Sequence, residues 1–311
     1  MKHLHILDKP APLRVVRVVR VGIAGSLSGQ RVAHAPFFHA ARDFLERRGV
    51  QALLGDDAST PARALELADE FARGGVRLVV GHFNSDCARA VMPIYRAHGI
   101  ELLLPASTDV GLETGHGVYR LCADDAAQAR AIALWLRERH AQMPAVEVRV
   151  DGSAYAERLL ASLRAELGSR SVAVLSTAEP GAPRAPICVV LALAHHALSF
   201  LQRSHYALAG RTMVFSDEAA VPEFNQAALR SGLACWIVTP DPSYDILLNR
   251  ACAWVAQWNE QRRSAGSFGS WATGLGHLLP SGQARRAAWL LRPCVHTQAV
   301  RDHLLSATHP H

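Results

Sequence analysis

Lysine is almost missing from this chain. Lys2 and Lys9 are the only two in 311 residues, so the formal net charge of +6 rests on arginine. The arginines are interleaved with acids, as in Arg42, Asp43, Glu46, Arg47 and Arg48, or Arg137, Glu138 and Arg139. A nucleic-acid surface would gather them into one stripe with aromatics between, and aromatics make up only 6% of the chain. Nucleic acid is therefore not an expected partner. Long hydrophobic runs are missing too. No stretch reaches the roughly 18 apolar residues of a membrane span. Near the start, Asp8, Lys9, Pro10, Pro12, Arg14, Arg17 and Arg20 break up the apolar residues, leaving no core of about 7–15 such residues for a secretory signal. The chain as written is expected to be cytoplasmic.

Chemistry-bearing motifs are equally scarce. The six cysteines (Cys87, Cys122, Cys188, Cys235, Cys252, Cys294) are widely spaced with no C-x-x-C, which fits neither a disulfide framework nor a zinc knuckle. Buried free thiols are expected. Histidine is plentiful, but His195-His196 and His309-Pro310-His311 have no carboxylate or cysteine at ligand spacing. No metal and no cofactor are expected. G-x-S-x-G, H-E-x-x-H and the P-loop lysine are absent. Gly22, Gly25 and Gly29, with Asp56 after the next strand, give G-x-x-G-x-x-x-G, which is the wrong spacing for a dinucleotide fingerprint. An enzyme on a Rossmann-like scaffold stays open only as an alternative.

What is present is alternation. Val15–Ala24, Gln51–Leu54, Arg77–Val80 and Ile100–Leu104 read as strands, separated by helices over Pro36–Arg48, from Pro61, and over Ser85–His98. Thr60 or Ser59 can cap the second helix, with Pro61 at its first position. A second run follows: helix Ala126–His140, strand Val146–Val150, helix Tyr155–Leu167, strand Val172–Leu175. It continues through strand Ile187–Leu193, helix Ala197–Leu208, strand Thr212–Phe215, helix Glu223–Arg230 and strand Ala234–Val238. Helices are expected over Tyr244–Gln261 and about Phe268–Leu279, with two short ones up to Leu305. This predicts an α/β fold of two Rossmann-like lobes with parallel sheets joined by a hinge. Lobe one takes 14–122 plus 243–290, lobe two 123–242, and 291–311 forms a helical tail. The eleven residues from Ser176 to Pro186 hold three prolines and cannot easily form a crossover helix. Either the link is a stripped loop or the strands beside it are not parallel neighbours.

The segment Val79–Thr114, VVGHFNSDCARAVMPIYRAHGIELLLPASTDVGLET, resembles the leucine/isoleucine/valine-binding protein family of type I periplasmic binding proteins. The match lies in a strand ending Gly81-His82, a serine-bearing turn opening a helix, and a strand followed by Pro-Ala-x-Thr. Gly25-Ser26-Leu27-Ser28-Gly29, Asp56-Asp57 and Tyr119-Arg120 stand in register with it, and Ala90-Val91-Met92-Pro93 is similar to the cytoplasmic amide-sensor branch. The resemblance implies that Ser85, Ala106 and Thr108 hold a ligand's carboxylate and ammonium, with His34, Phe83 and Asn84 on the same wall. It implies Tyr155, Glu218 and Phe268 from the second lobe, with Glu218 meeting the ammonium. The physical reading agrees for Ser85, which opens a helix at the end of a sheet strand, where partial positive charge suits a carboxylate. Plainer roles remain open: Asn84 and Ser85 as helix caps, Thr108 and Asp109 as turn formers, Glu218 as a solvated first-turn acid, Tyr155 as core and His34 as helix entry.

Three departures qualify the resemblance. Ser59 and Asn84 stand where exported relatives often carry a disulfide, the Pro-rich loop replaces a crossover helix, and the chain stops soon after Leu305. A shortened second lobe could leave a sheet edge needing a partner, so a homodimer or protein partner is expected. The expected function is non-catalytic: a cytoplasmic binding protein, a sensor or pathway-specific carrier, closing on a small amino-acid-like or amide ligand. The alternatives are the solute-binding subunit of a branched-chain amino acid transporter, and an enzyme or interaction scaffold on a repurposed fold.

Overall fold

The computed structural model describes residues 20–115, 117–139, 145–168, 171–179, 185–204, 208, 210–241, 244–264 and 288–293. The first sheet contains β1 (Arg20–Gly25), β2 (Gln51–Asp56), β3 (Val76–Gly81), β4 (Glu101–Leu104) and β5 (Val118–Arg120), in the order β2-β1-β3-β4-β5. All four pairings are parallel. Helices α1 (Ala35–Glu46), α2 (Pro61–Arg73) and α3 (Ser85–Ala97) supply the crossovers. A sheet covered on both sides needs strands apolar on both sides, and β1 and β3 supply them as near-unbroken buried runs. Thr60 caps α2 by accepting a bond from the Arg63 N–H, and Pro61 takes the first position.

The second sheet joins β6 (Ala145–Val150), β7 (Ser171–Ser176), β8 (Ile187–Leu191), β9 (Thr212–Phe215), β10 (Ala234–Asp241) and β11 (Ala288–Pro293), in the order β11-β10-β9-β8-β6-β7. Helices α4 (Asp125–Arg139) and α5 (Ala154–Leu167) cover one side; α6 (Ala194–Ser204) and α7 (Pro222–Ser231) cover the other. The chain then returns. In α8 (Tyr244–Ser264), Leu247, Leu248, Ala251, Cys252 and Val255 pack with Phe38 and Leu45 of α1 in the core of the first lobe. The five described cysteines are buried free thiols.

The link after β7 resolves physically. β7 and β8 both pair with β6 and not with each other, so the connection passes from one side of β6 to the other. A buried ion pair on β6, Arg149 with Glu147 at 2.9 Å, helps to hold it: Arg149 Nη1 also donates to the carbonyls of Ser176 and Glu179.

Two expectations need correction. The helical tail expected from residue 291 starts instead within a strand. β11 runs antiparallel to β10, with Val238 opposite Leu291, so 288–293 belongs to the second sheet. Its pairing covers the β10 edge, with Leu291 packed against the core of the second lobe. That edge therefore no longer argues for a dimer. Val118–Arg120, absent from the expected strands, forms the edge strand β5. The helix expected near Phe268–Leu279 and the residues after Pro293 lie outside the described residues.

Gly81 closes β3 where the first functional loop begins. Its φ is +137°, and an added Cβ would stand 1.9 Å from the Ala24 carbonyl oxygen. Backbone cannot yield as a side-chain tip can. Gly81→Ala is expected to lower stability by about 2 kcal/mol or more, read by chemical denaturation; an unchanged midpoint would contradict this account of the turn.

Candidate functional site

In parallel sheets the strands end on a common edge, and ligands favour the crevice there. The loops after β1, β3 and β4 meet those after β6 and β9 around one cleft that is partly open to solvent. Beneath it, fully buried His82 holds the first wall in place. Its Nδ1 lies 2.9 Å from Asp57 and its Nε2 3.0 Å from the Tyr95 hydroxyl, while the Ser107 hydroxyl donates to its carbonyl.

On that wall Asn84 acts as a cap. Its Oδ1 accepts from the N–H groups of Asp86 (2.8 Å) and Cys87 (3.1 Å), and its amide donates to the Ser59 carbonyl at 3.4 Å. A hydrogen bond thus joins the two positions at which exported relatives are expected to carry a disulfide. The Ser85 hydroxyl accepts from the Asp109 N–H at 3.3 Å, which leaves its own proton to donate. Ala106 and Thr108, both buried, follow β4 into the lining. Phe83 packs edge-on against Phe38 and tilted against His34. Burial first, and the charge of Arg31 second, lower the His34 pKa to about 4, so its ring is neutral at pH 7. Its Nδ1 is buried with no hydrogen-bond partner among the described residues.

The second wall is acidic. The Tyr155 hydroxyl and the Gln128 amide both donate to Asp217 Oδ1. Burial, with the Asp217 charge behind it, pushes the Tyr155 pKa well above the ordinary phenol value, so it remains a donor. Glu218 meets a residue from the opposite lobe: Arg31 Nη2 lies 2.8 Å from its Oε1, with both side chains close to nine-tenths buried. Burial works against the Arg31 charge, but the acids outweigh it, Glu218 foremost, and its pKa lies above the usual value. Arg31 interrupts the 3-10 helix Gly29–His34 with φ −113° and ψ 24°, which re-aims the chain at that point. A second bridge between lobes runs from Arg158 on α5 to Asp86 and Asp109, each at 3.2 Å.

Eight of the nine expected site residues therefore line one cleft: His34, Phe83, Asn84, Ser85, Ala106, Thr108, Tyr155 and Glu218. Phe268 lies outside the described residues. The sequence reading missed Arg31, Asp86, Arg158 and Asp217. Asp217 and Asp86 adjoin expected residues and could have been inferred from that adjacency; Arg31 and Arg158 carry no motif. Among the described residues no group of three His, Cys, Asp or Glu could hold a metal ion. His196, in the His195-His196 pair, bonds to Asp151 at 2.8 Å.

The family model for periplasmic binding proteins matches residues 19–185, more than half of the chain. The chain belongs to the periplasmic binding protein family. A Leu/Ile/Val-binding protein homolog of Brucella abortus is 28% identical over 101 residues, 29% of this chain and 27% of the relative; the match thus spans about a quarter of that relative's length. Solved structures of such binding proteins share the fold. One, from Streptococcus pneumoniae, is the substrate binding protein of a branched-chain amino acid transporter, in complex with isoleucine. It has 15% identity and a TM-score of 0.67, covering 83% of this chain and 90% of its own. Another, the solute binding protein of an ABC transporter from R. palustris in complex with benzoate, has 16% identity and a TM-score of 0.61, covering 80% and 84%.

Behind the cleft of this binding protein, Asp125 joins α4 to the β4 loop through its N–H on the Thr108 carbonyl at 2.8 Å. Burial pushes the Asp125 pKa up to about 7, against a hydrogen bond from Thr108. The folded chain thus keeps a proton that the unfolded chain releases near pH 4. This group's contribution is full below that pH and is lost as pH rises to about 7. His34 has the opposite sign, its contribution being present above about 6.5 and lost as pH falls towards 4. Asp125→Asn removes only the first. Its stability relative to the parent is expected to be higher at pH 8 than at pH 5, by more than about 1 kcal/mol in paired thermal melts. An equal difference at both pH values would contradict the assignment.

Proposed function

We propose that this binding protein closes its lobes on a small amino-acid-like or amide-like ligand and performs no chemistry on it. The observation that carries this reading is the placement of the Ser85 hydroxyl, with Ala106 and Thr108 beside it, opposite Tyr155, Asp217 and Glu218 within one cleft. Hydrogen-bonding groups of both kinds, held on separate lobes, suit a ligand that is polar at both ends and joins the lobes when bound. The isoleucine and benzoate held by the two solved relatives each carry one carboxylate on an apolar body.

The proposed setting is the cytoplasm, as a sensor or pathway-specific carrier whose closed form is read by a protein partner or a second copy. A transporter's solute-binding subunit is the second reading, favoured by the role of the S. pneumoniae relative. Fractionation of native cells separates the two: the first expects the protein with the cytoplasmic fraction, and recovery outside the inner membrane would establish the second.

A thermal-shift screen against amino acids, small amides and small organic acids tests the binding reading. A compound at ~100 times its dissociation constant adds about 2.7 kcal/mol, enough to raise the midpoint by several degrees in a chain of this size. The double variant Ser85→Ala/Thr108→Ala is expected to lose that response. A flat screen of the parent would overturn the reading, and unchanged affinity in the double variant would move the site elsewhere.

A further inference from the structure

We propose that Arg31 sets the ligand class of this cleft, so that it takes a small organic acid without an ammonium group, such as a 2-oxo acid, in preference to the amino acid of the same carbon skeleton. The inference rests on the binding reading above and narrows it.

An ammonium group entering a dry cleft needs a carboxylate, because a buried charge without a partner is costly. Each of the three acids of the lining already has a partner inside the protein. Asp86 is paired with Arg158 at 3.2 Å and with Arg89 at 3.3 Å. Asp217 takes the Tyr155 hydroxyl and the Gln128 amide on one oxygen. Glu218, the acid at the second lobe's front, is paired with Arg31 at 2.8 Å. Its Oε2 is buried with no hydrogen-bond partner among the described residues, but an ammonium reaching it would share the carboxylate with the guanidinium, cation beside cation.

A carboxylate meets the reverse situation. The Ser85 hydroxyl proton is available to it, and so is the unpartnered His34 Nδ1 in its protonated tautomer. A guanidinium carries five N–H groups, and the pair with Glu218 is made through Nη2, so the fork can serve a ligand oxygen as well. Arg31 is no stray surface residue. It sits nearly buried at a break in its own helix, and its partner comes from the opposite lobe.

The test is calorimetry on matched pairs that differ only in the ammonium: leucine against 4-methyl-2-oxopentanoate, phenylalanine against phenylpyruvate, alanine against pyruvate. For at least one pair the parent chain is expected to bind the 2-oxo acid about tenfold more tightly or better. Arg31→Met should reverse the order by freeing Glu218. That variant strands a buried carboxylate, so Arg31→Met/Glu218→Gln is the companion; with both charges gone it should show no preference within a pair. If the parent binds the amino acid as tightly as its 2-oxo acid, a carboxylate of the lining takes the ammonium despite Arg31, and the inference fails while the binding reading stands. Binding of amides alone has the same consequence. If the parent binds no member of any pair and no amide, both the inference and the binding reading fall.

Discussion

A charge held away from water must meet its opposite, and in this protein that requirement is satisfied across the gap between two lobes. Arg31 reaches from the first lobe to Glu218 on the second, and Arg158 reaches back from the second to Asp86 and Asp109 on the first. In a cleft of low dielectric the Arg31–Glu218 pair is strong once formed but expensive to leave half-made, since removing one partner of a buried pair costs about 3–5 kcal/mol. Arg158 and Asp86 are about a third exposed, and their pair is screened by water. The lobes are therefore drawn together by side chains of the chain itself, and a ligand has to fit around these bridges or displace them.

The two sheets make this arrangement possible. Each is parallel through its middle, so the loops that matter leave from the same edge, and each has its switch point beside the strand that feeds the cleft: β1 and β3 in the first, β6 and β8 in the second. Buried polar groups then fix the loops. Asp57, His82 and Tyr95 form a chain of hydrogen bonds under the first wall, and Gln128, Asp217 and Tyr155 form another under the second. Fully satisfied networks of this kind hold a loop in one conformation, so the donors and acceptors of the cleft are in place before anything binds.

The lobes were legible in the sequence because alternation of apolar strands and amphipathic helices is a local property. The order of turns around Gly81, Ser85 and Thr108 carried the family resemblance, and the resemblance, rather than any local pattern, pointed to Tyr155 and Glu218 on the second lobe. Arg31 was not legible. It follows Gln30 in a stretch without a motif, and only the break in the helix and the arrival of Glu218 from nearly two hundred residues later give it a role. Asn84 satisfies both roles left open for it, since it lines the cleft while its side-chain oxygen caps α3. The strand Ala288–Pro293 was read as the end of one lobe and the start of a helical tail because pairing with β10 is set by tertiary structure, and a short apolar run does not announce it.

The most direct measurement of the central claim is a crystal structure of the protein grown with 4-methyl-2-oxopentanoate. The account predicts the acid between the lobes, its carboxylate on the Ser85 hydroxyl, with Arg31 still paired to Glu218. Density for the acid outside the cleft, or Arg31 turned away with the lobes closed around nothing, would contradict it.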